Sequence, residues 1–156
     1  KAGRGGGGAR FVPWVELEGT HEEGLVKWCA LKSHRRATEK LVRSFGNDPS
    51  RILDVCRFSV AFQRPADLIS CLELLLADDE LSVERVKNRL SSGYDSALTA
   101  GYRDVMVNFR VLSAETLTLG VETHVCEIQL VLKSFAEIRT QSGHARYIAF
   151  RNCRGE

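Results

Sequence analysis

The sequence predicts an α/β (α+β) domain with a central mixed β-sheet of about four to five strands flanked by helices. Two observations predict this class. Apolar runs with the alternation of half-buried strands recur along the chain, and segments with helical spacing of apolar residues lie between and around them. The predicted strands cover residues 53–62, 81–90, 102–112 and 124–132.

The first two predicted helices have recognisable ends. One begins at Thr20, because Thr20 and Glu23 have the spacing of a capping box, and it extends to a break at 46–49 that contains glycine and proline. The other covers 66–77 after Pro65, since proline is favoured at the first helical position. Its apolar character predicts that it covers one face of the sheet.

The remaining elements complete the order α, β, α, β, β, β, α. A loop rich in Ser, Gly and Thr over 91–101 joins the second strand to the third. The fourth strand runs into a helix over 133–140, and a last short helix is predicted over 144–151. Strands grouped with helices in this way are typical of a sheet that helices cover on one side.

Composition bounds the class of protein. The chain has 156 residues, a net charge of +2 and 44% hydrophobic residues, which fit a single globular domain over 11–156. Residues 1–10 are Gly-rich and predict a flexible linker, so we expect the domain to be part of a longer protein. No apolar run is long enough for a membrane span. The near-balanced charge makes a strongly basic nucleic-acid binder unlikely.

The cysteines predict an intracellular, reducing environment, in the cytoplasm or an organelle. There are five of them, they form no C-x-x-C pair, and their spacing matches no zinc site. Most lie among apolar residues, so we interpret them as small buried side chains. They are Cys29, Cys56, Cys71, Cys126 and Cys153.

Polar residues inside the apolar strands are the strongest functional signal. Alternation places Glu127 and Gln129 on one face of the fourth strand and Ile128 on the other. Asp54 has a similar place in the first strand, and Asp104 in the third. One interpretation is a solvent-facing side of the sheet. The other is a cleft in which two carboxylates hold Mg²⁺ and basic groups bind phosphates.

Four segments within residues 50–132 resemble, in order, motifs of the RelA/SpoT synthetase domain, a nucleotidyltransferase-like family of pyrophosphokinases that make guanosine alarmones. The first resembles the strand with the Mg²⁺-binding aspartate, and the second the strand before the substrate loop. The third resembles the Gly-Tyr motif and the fourth the E-I-Q motif. They are residues 50–55, 85–88, 101–105 and 127–130.

The resemblance implies a role for each matching residue. Asp54 and Glu127 would hold Mg²⁺, with Glu127 also taking the proton of the attacking hydroxyl. ATP phosphates would bind near Lys32 and Arg36, and also near Lys87 or Arg89. A guanine nucleotide, GDP or GTP, would stack on Tyr102, with Gln129 placing its ribose. The 3′-hydroxyl would attack the β-phosphorus of ATP, and AMP would leave.

Two departures from the family pattern keep a second function open. Met106 stands where the family usually has a phosphate-binding histidine, and Leu98-Thr99-Ala100 replaces a stretch that usually carries Lys and Asn. The chain is therefore either an active pyrophosphokinase or a degenerate copy of the fold. The degenerate copy would serve as a structural or protein-binding module in a larger assembly, and a eukaryotic assembly is one expectation for it. The basic segment from Lys27 to Arg43 is interpreted as a solvated helix face, with phosphate binding as the alternative.

Overall fold

The computed structural model describes residue 16, residues 18–21 and residues 30–138. The Gly-rich segment 1–10, residues 22–29 of the first predicted helix and the helix predicted over 144–151 lie outside the described residues. So do the last two residues of the helix predicted over 133–140. Within the described residues, no helix is both long enough and apolar enough to cross a membrane.

Eight helices and strands make up the described part of the chain, with short 3-10 turns at Pro49–Arg51 and Ser96–Thr99. In chain order they are α1 (His34–Ser44), β1 (Arg57–Phe62), α2 (Pro65–Ala77), β2 (Leu81–Asn88), β3 (Val105–Val111), α3 (Ala114–Leu119), β4 (Cys126–Leu132) and α4 (Lys133–Ile138).

The four strands form one mixed sheet in the order β1-β4-β3-β2. β4 pairs parallel with β1 and antiparallel with β3, which in turn pairs antiparallel with β2. The predicted α/β class with a mixed sheet is therefore confirmed. The pairing of β2 with β3 contains a bulge between Val83 and Arg85.

The hydrophobic core lies on one face of this sheet. Its buried residues come from α2, β3 and β4, and partly buried residues of β1 and β2 pack against them. Alternation explains the set, because every second residue of a strand points to the same face. The core residues are Leu68, Val105, Val107, Phe109, Ile128 and Leu130.

Local sequence signals account for the ends of helices α2 and α3. Pro65 opens α2, and Asp67 in its first turn pairs with Arg64 at 2.6 Å. No helix was predicted where α3 lies, although its signals are present. The Ser113 side chain accepts a hydrogen bond from the Thr116 N–H, and Gly120 ends the helix with a φ of 65°, which favours glycine.

Three predicted strands were too long at their first residues, and the smallest difference is in β4, which begins at Cys126 instead of residue 124. β1 begins at Arg57, because the preceding segment bonds elsewhere: Val55 accepts a hydrogen bond from the Lys32 N–H at 2.9 Å. β3 begins at Val105, although the carbonyl of Asp104 still accepts from the Arg89 N–H at 2.8 Å, in register with the pairing of Asn88 with Val105. Asp54 therefore lies in the segment before β1, and not within a strand as predicted.

The end of β2 and the start of the first predicted helix also differ from the prediction. The Asn88 side chain accepts hydrogen bonds from the N–H groups of Leu90 and Ser91, which turns the chain and ends β2 at Asn88. The first predicted helix is described as a helix only from His34, after an extended stretch at 30–33.

We expect the substitution Leu130→Ala to lower the free energy of unfolding by about 2–5 kcal/mol, because it opens a cavity in the core. Leu130 is 0% exposed. The matched control is Leu119→Ala, since Leu119 is 74% exposed and its loss should change stability by less than about 0.5 kcal/mol. Urea unfolding of both variants measures the difference, and equal losses would contradict this description of the core.

Candidate functional site

The second face of the sheet carries two rows of side chains that are polar except for Met106. We call this side of the sheet the polar face. Strand register sets these rows, because residues that are directly paired across strands point to the same side. One row contains Arg57, Glu127, Asn108 and Arg85, and the other contains Ser59, Gln129, Met106 and Lys87. The prediction that Glu127 and Gln129 share a face opposite Ile128 is borne out by this register.

Glu127 is a buried carboxylate in the middle of the polar face, and it is only 7% exposed. Gln129 Nε2 donates a hydrogen bond to Glu127 Oε1 at 2.9 Å, and Gln129 Oε1 accepts one from the Ser59 hydroxyl at 3.2 Å. These contacts fix the orientation of one carboxylate oxygen. They also give Gln129 a positioning role toward Glu127 that the sequence pattern did not indicate.

Asp54 is held by three basic side chains just before β1. Its Oδ2 forms ion pairs with Lys32, with Lys40 at 3.1 Å and with Arg57 at 3.7 Å. The carboxylate is 6% exposed, so it is buried together with this positive charge. Its Oδ1 is buried and has no hydrogen-bond partner within the described residues, which leaves one oxygen free to accept a ligand.

A cavity of about 120 Å³ opens beside Asp54, between α1 and the start of β1. Positive side chains dominate it, and those from α1 recur at the spacing of one helix face. The lining residues are Lys32, Arg36, Glu39, Lys40, Arg43, Ser44, Asp54 and Arg57. Five of the eight are basic, so the cavity is suited to an anion such as a phosphate chain.

The two carboxylates have opposite tendencies to bind a proton. Burial raises the pKa of Glu127 above its ordinary value, and the negative charge of nearby Asp54 raises it further. For Asp54, burial acts in the same direction, but the hydrogen bond from Lys32 and the charge of Lys40 outweigh it and hold its pKa below the ordinary value. Asp54 is therefore the stronger acid of the two, and Glu127 is the more basic carboxylate.

The donor set fits Mg²⁺ only as a partial site. Asp54 Oδ1 is an unpartnered buried oxygen, and Glu127 is close enough for the Asp54 charge to raise its pKa. Within residues 16, 18–21 and 30–138, no group of three or more potential ligands is present. Two carboxylates are sufficient for Mg²⁺ when substrate phosphates supply further oxygens.

The structure gathers some of the predicted site residues and separates others. Lys32, Arg36 and Asp54 line the cavity, and Glu127 and Gln129 lie on the adjoining polar face. Lys87 shares the polar face but lies two strands away from Gln129, with Met106 between them. Within the basic segment, Arg36 and Arg43 line the cavity but are exposed, as predicted for a solvated helix face, whereas Lys32 and Lys40 are partly buried in ion pairs with Asp54.

Arg89 has a buried partner instead of a place at the cavity. Its Nη1 pairs with Asp104 Oδ1 at 2.6 Å, and Asp104 is fully buried. Arg103 donates to the carbonyls of Arg89 and Ser91 at 3.0 Å and to that of Tyr94 at 3.2 Å. The two arginines hold the loop between β2 and β3 in shape. Binding of phosphate by Arg89 stays a prediction.

Tyr102 lies at the end of this loop, three residues before β3. Gly101 precedes it with a φ of 84°, a conformation that favours glycine. The Tyr102 N–H donates to the Thr99 carbonyl at 3.0 Å, and the Thr99 hydroxyl donates to the Tyr102 carbonyl at 2.7 Å. The backbone of Tyr102 is thus fixed, while its stacking on guanine stays a prediction.

Lys40, Arg43 and Arg57 are site residues that the motif comparison missed. Signals for them existed in the sequence. Arg36, Lys40 and Arg43 follow the spacing of one helix face, and Arg57 comes three residues after Asp54. What the sequence did not contain was the position of α1 against the segment before β1.

The four-stranded mixed sheet and the helices around it match the fold of small alarmone synthetases, as two solved structures show. Among solved structures, the chain is similar to the small alarmone synthetase 1 from Bacillus subtilis, with a TM-score of 0.59 and 18% identity over 76% of this chain and 60% of that one. It is also similar to the same enzyme bound to its product pppGpp, with a TM-score of 0.60 and 18% identity over 91% of this chain and 75% of that one.

A GTP pyrophosphokinase family protein from Streptococcus pneumoniae is a third similar structure, with a TM-score of 0.58 and 16% identity over 86% of this chain and 69% of that one. The chain spans 60% and 61% of the length of the small alarmone synthetases 1 and 2. No family model and no curated protein matches the sequence. At these identities the likeness establishes the fold.

We expect substitution of the two carboxylates to change stability in opposite directions near neutral pH. Asp54→Asn should lower the free energy of unfolding by about 1–3 kcal/mol, because Lys32, Lys40 and Arg57 lose their counter-charge. Glu127→Gln should raise it by about 1 kcal/mol, because a buried carboxylate that resists ionisation is removed. Urea unfolding at pH of about 5 to 8 measures both.

The contributions of Glu127 and Asp54 to stability change with pH in opposite directions. Glu127 has a raised pKa in the folded state, so its contribution to stability falls as pH rises from its ordinary value of 4.5 through the folded value. Asp54 has a lowered pKa, so its contribution is present above its ordinary value of 3.8 and is lost below the folded one. A stabilising Asp54→Asn at neutral pH would contradict the ion-pair cluster.

Proposed function

We propose that this domain transfers pyrophosphate from ATP to the 3′-hydroxyl of a guanine nucleotide. One observation carries the proposal. Asp54 and Glu127, which are far apart in the sequence, are linked through Arg57, which pairs with Asp54 Oδ2 at 3.7 Å and is in register with Glu127, and Asp54 and Arg57 line a cavity rich in basic side chains. Phosphoryl transfer depends mainly on such positioning and charge neutralisation.

The cavity supports binding of the ATP phosphates. Lys32, Arg36, Lys40 and Arg57 come from α1, from the residues before it and from β1, so they reach the cavity from different sides. Lys32 and Lys40 already balance Asp54, and a polyphosphate would compete for part of their charge. Among the described residues, Arg36 lines the cavity without forming an ion pair with Asp54, so its charge is available to a bound nucleotide.

Glu127 is suited to take the proton of the attacking hydroxyl. Its pKa is raised by burial and by Asp54, which makes the carboxylate a stronger base than an exposed glutamate. The hydrogen bond from Gln129 orients one of its oxygens and leaves the other side of the carboxylate for substrate. Deprotonated Glu127 would accept the 3′-hydroxyl proton as that oxygen attacks the β-phosphorus.

Asp54 and Glu127 would hold the Mg²⁺ that enzymes with this chemistry require. Bound there, the ion would neutralise phosphate charge. In our proposal Asp54 stays ionised because Lys32 and Lys40 hold its pKa low, and it offers Oδ1. Tyr102 would stack on the guanine base and Gln129 would contact the ribose. Lys87 and Arg89 would be outer contacts to phosphate.

A second function has its own support. Met106 places an apolar side chain in the polar row between Gln129 and Lys87, and Asp54 is already neutralised by protein cations. Both features are compatible with a degenerate fold that acts as a protein-binding or structural module. Such a module would keep the fold without binding both nucleotides.

The decisive measurement is Mg²⁺-dependent release of AMP from ATP and GDP. We expect the wild-type chain to release AMP and Glu127→Gln to lose about 100-fold or more of that rate, because it removes the base. The matched control is Glu73→Gln, since Glu73 is an exposed glutamate on α2 and its loss should leave the rate unchanged.

The outcomes separate the two functions. Equal rates for the wild type and Glu127→Gln would exclude Glu127 as the base. No release by a folded wild-type chain, together with no calorimetric binding of GDP or of a non-hydrolysable ATP analogue, would favour the module. Unfolding curves of the same preparations show whether each variant is folded.

Binding of the ATP analogue should depend on Arg36 and not on its neighbour. We expect Arg36→Gln to weaken binding roughly tenfold, the loss typical of one charge-assisted contact. Arg35→Gln is the matched control, because Arg35 pairs with Glu39 and its side chain is 88% exposed. Calorimetry at two salt concentrations measures both affinities, and equal losses for the two variants would place the phosphates elsewhere.

A further inference from the structure

Two cysteines face each other across the parallel strands β1 and β4. Cys56 directly precedes Arg57 and Cys126 directly precedes Glu127, and Arg57 and Glu127 are paired in register. The Glu127 N–H donates to the Cys56 carbonyl at 2.9 Å, so the backbone of Cys56 is bonded to β4 at the residue that follows Cys126. Neighbouring strands lie about 4.7–4.9 Å apart, which is within the about 4.4–6.8 Å that separates the Cα atoms of a disulfide.

The two thiols also influence each other. Cys126 points to the face opposite Glu127, as strand alternation requires. Burial and the neighbouring Cys56 thiol together raise the pKa of the Cys126 thiol to about 11. Both are free and only partly buried, and Cys126 packs at the edge of the core. The pair therefore lies beneath the polar face and is open to a small reagent.

We propose that Cys56 and Cys126 form a reversible dithiol–disulfide site that reacts with small disulfides. In the first step the sulfur of one cysteine attacks the external disulfide, releases one external thiol and forms a mixed disulfide. The second cysteine then attacks the protein sulfur of that mixed disulfide and releases the other external thiol. Two protons pass from the cysteines to the two released thiols, so the protein is oxidised and the external disulfide is reduced.

Register makes this reaction specific to the pair. The strand ladder already holds the two residues side by side, so the bond can close without a change in sheet register. Cys71 offers the comparison, because it is also free and partly buried at the edge of the core, but it lies on α2. Oxidation should therefore join Cys56 to Cys126 and leave Cys71 reduced.

The test treats the folded full chain with cystamine, blocks remaining thiols and maps the products after trypsin digestion. Cleavage after Lys and Arg places the five cysteines in five different peptides, at 28–32, 52–57, 58–85, 111–133 and 152–154. We expect one dominant linked species, which joins 52–57 to 111–133 and separates on reduction. The same species should persist in Cys71→Ser and disappear in Cys56→Ser and Cys126→Ser.

Thermal unfolding gives a second readout. A bond between residues so far apart restricts the unfolded chain, so oxidation should raise the melting midpoint by roughly 5–15 °C in the wild type and in Cys71→Ser. In Cys56→Ser, cystamine should produce no such shift. The proposal does not depend on nucleotide binding, since both readouts use the protein alone.

Three results would overturn it. One is a linked species that joins Cys71 to either member of the pair at comparable yield. Another is formation of the 52–57 to 111–133 link only in denaturant, which would make the bond a property of the unfolded chain. The third is complete labelling of both thiols after prolonged exposure of the folded protein to cystamine.

Discussion

The parallel pairing of β1 with β4 is the constraint on which the candidate site depends. It brings the segment before β1 next to Glu127, although the two are separated by most of the described chain. Closing the long chain segment between the two strands costs conformational entropy. Burial of apolar side chains on the other face of the sheet, where Val60 and Phe62 pack against the core, offsets this cost. The acid pair thus exists because apolar residues on the reverse face hold two distant strands together.

Charge then gives the two acids different characters. Burial acts on both carboxylates in the same direction, but only Asp54 has basic side chains around it that outweigh this effect. The cluster is therefore asymmetric, with a charged acid surrounded by cations and a more basic acid on the adjoining strand. Lys32 contributes twice, because its side chain pairs with Asp54 and its backbone N–H binds Val55.

Much of this arrangement could be predicted from the sequence, because alternation along a strand is a local property. The faces of Glu127, Gln129 and Ile128 follow from it directly, and so does the mixed sheet class. The place of Asp54 could not be predicted in the same way. An apolar stretch before a strand looks like the strand itself, and only the pairing of Arg57 with Glu127 shows where β1 begins to pair with β4.

The partners of the charged residues were the hardest to predict. Arg89 resembles a phosphate ligand by its position after β2, but a buried pairing with Asp104 depends on how the loop folds back between β2 and β3. Lys40 and Arg57 needed the docking of α1 before their contact with Asp54 could be known. Helix α3 is different, because Ser113 and Gly120 signalled it locally and the signal was overlooked.

The bulge in β2 has a consequence for how the molecule behaves among its own copies. β2 is an outer strand of the four-stranded sheet, and a straight outer strand offers a free row of backbone groups to another chain. Here the bulge between Val83 and Arg85 interrupts that row, and Glu84, which is not paired in register with any residue of β3, is exposed together with Arg85. A second sheet would have to match the irregular spacing and bury both charges, so this edge resists strand-by-strand aggregation.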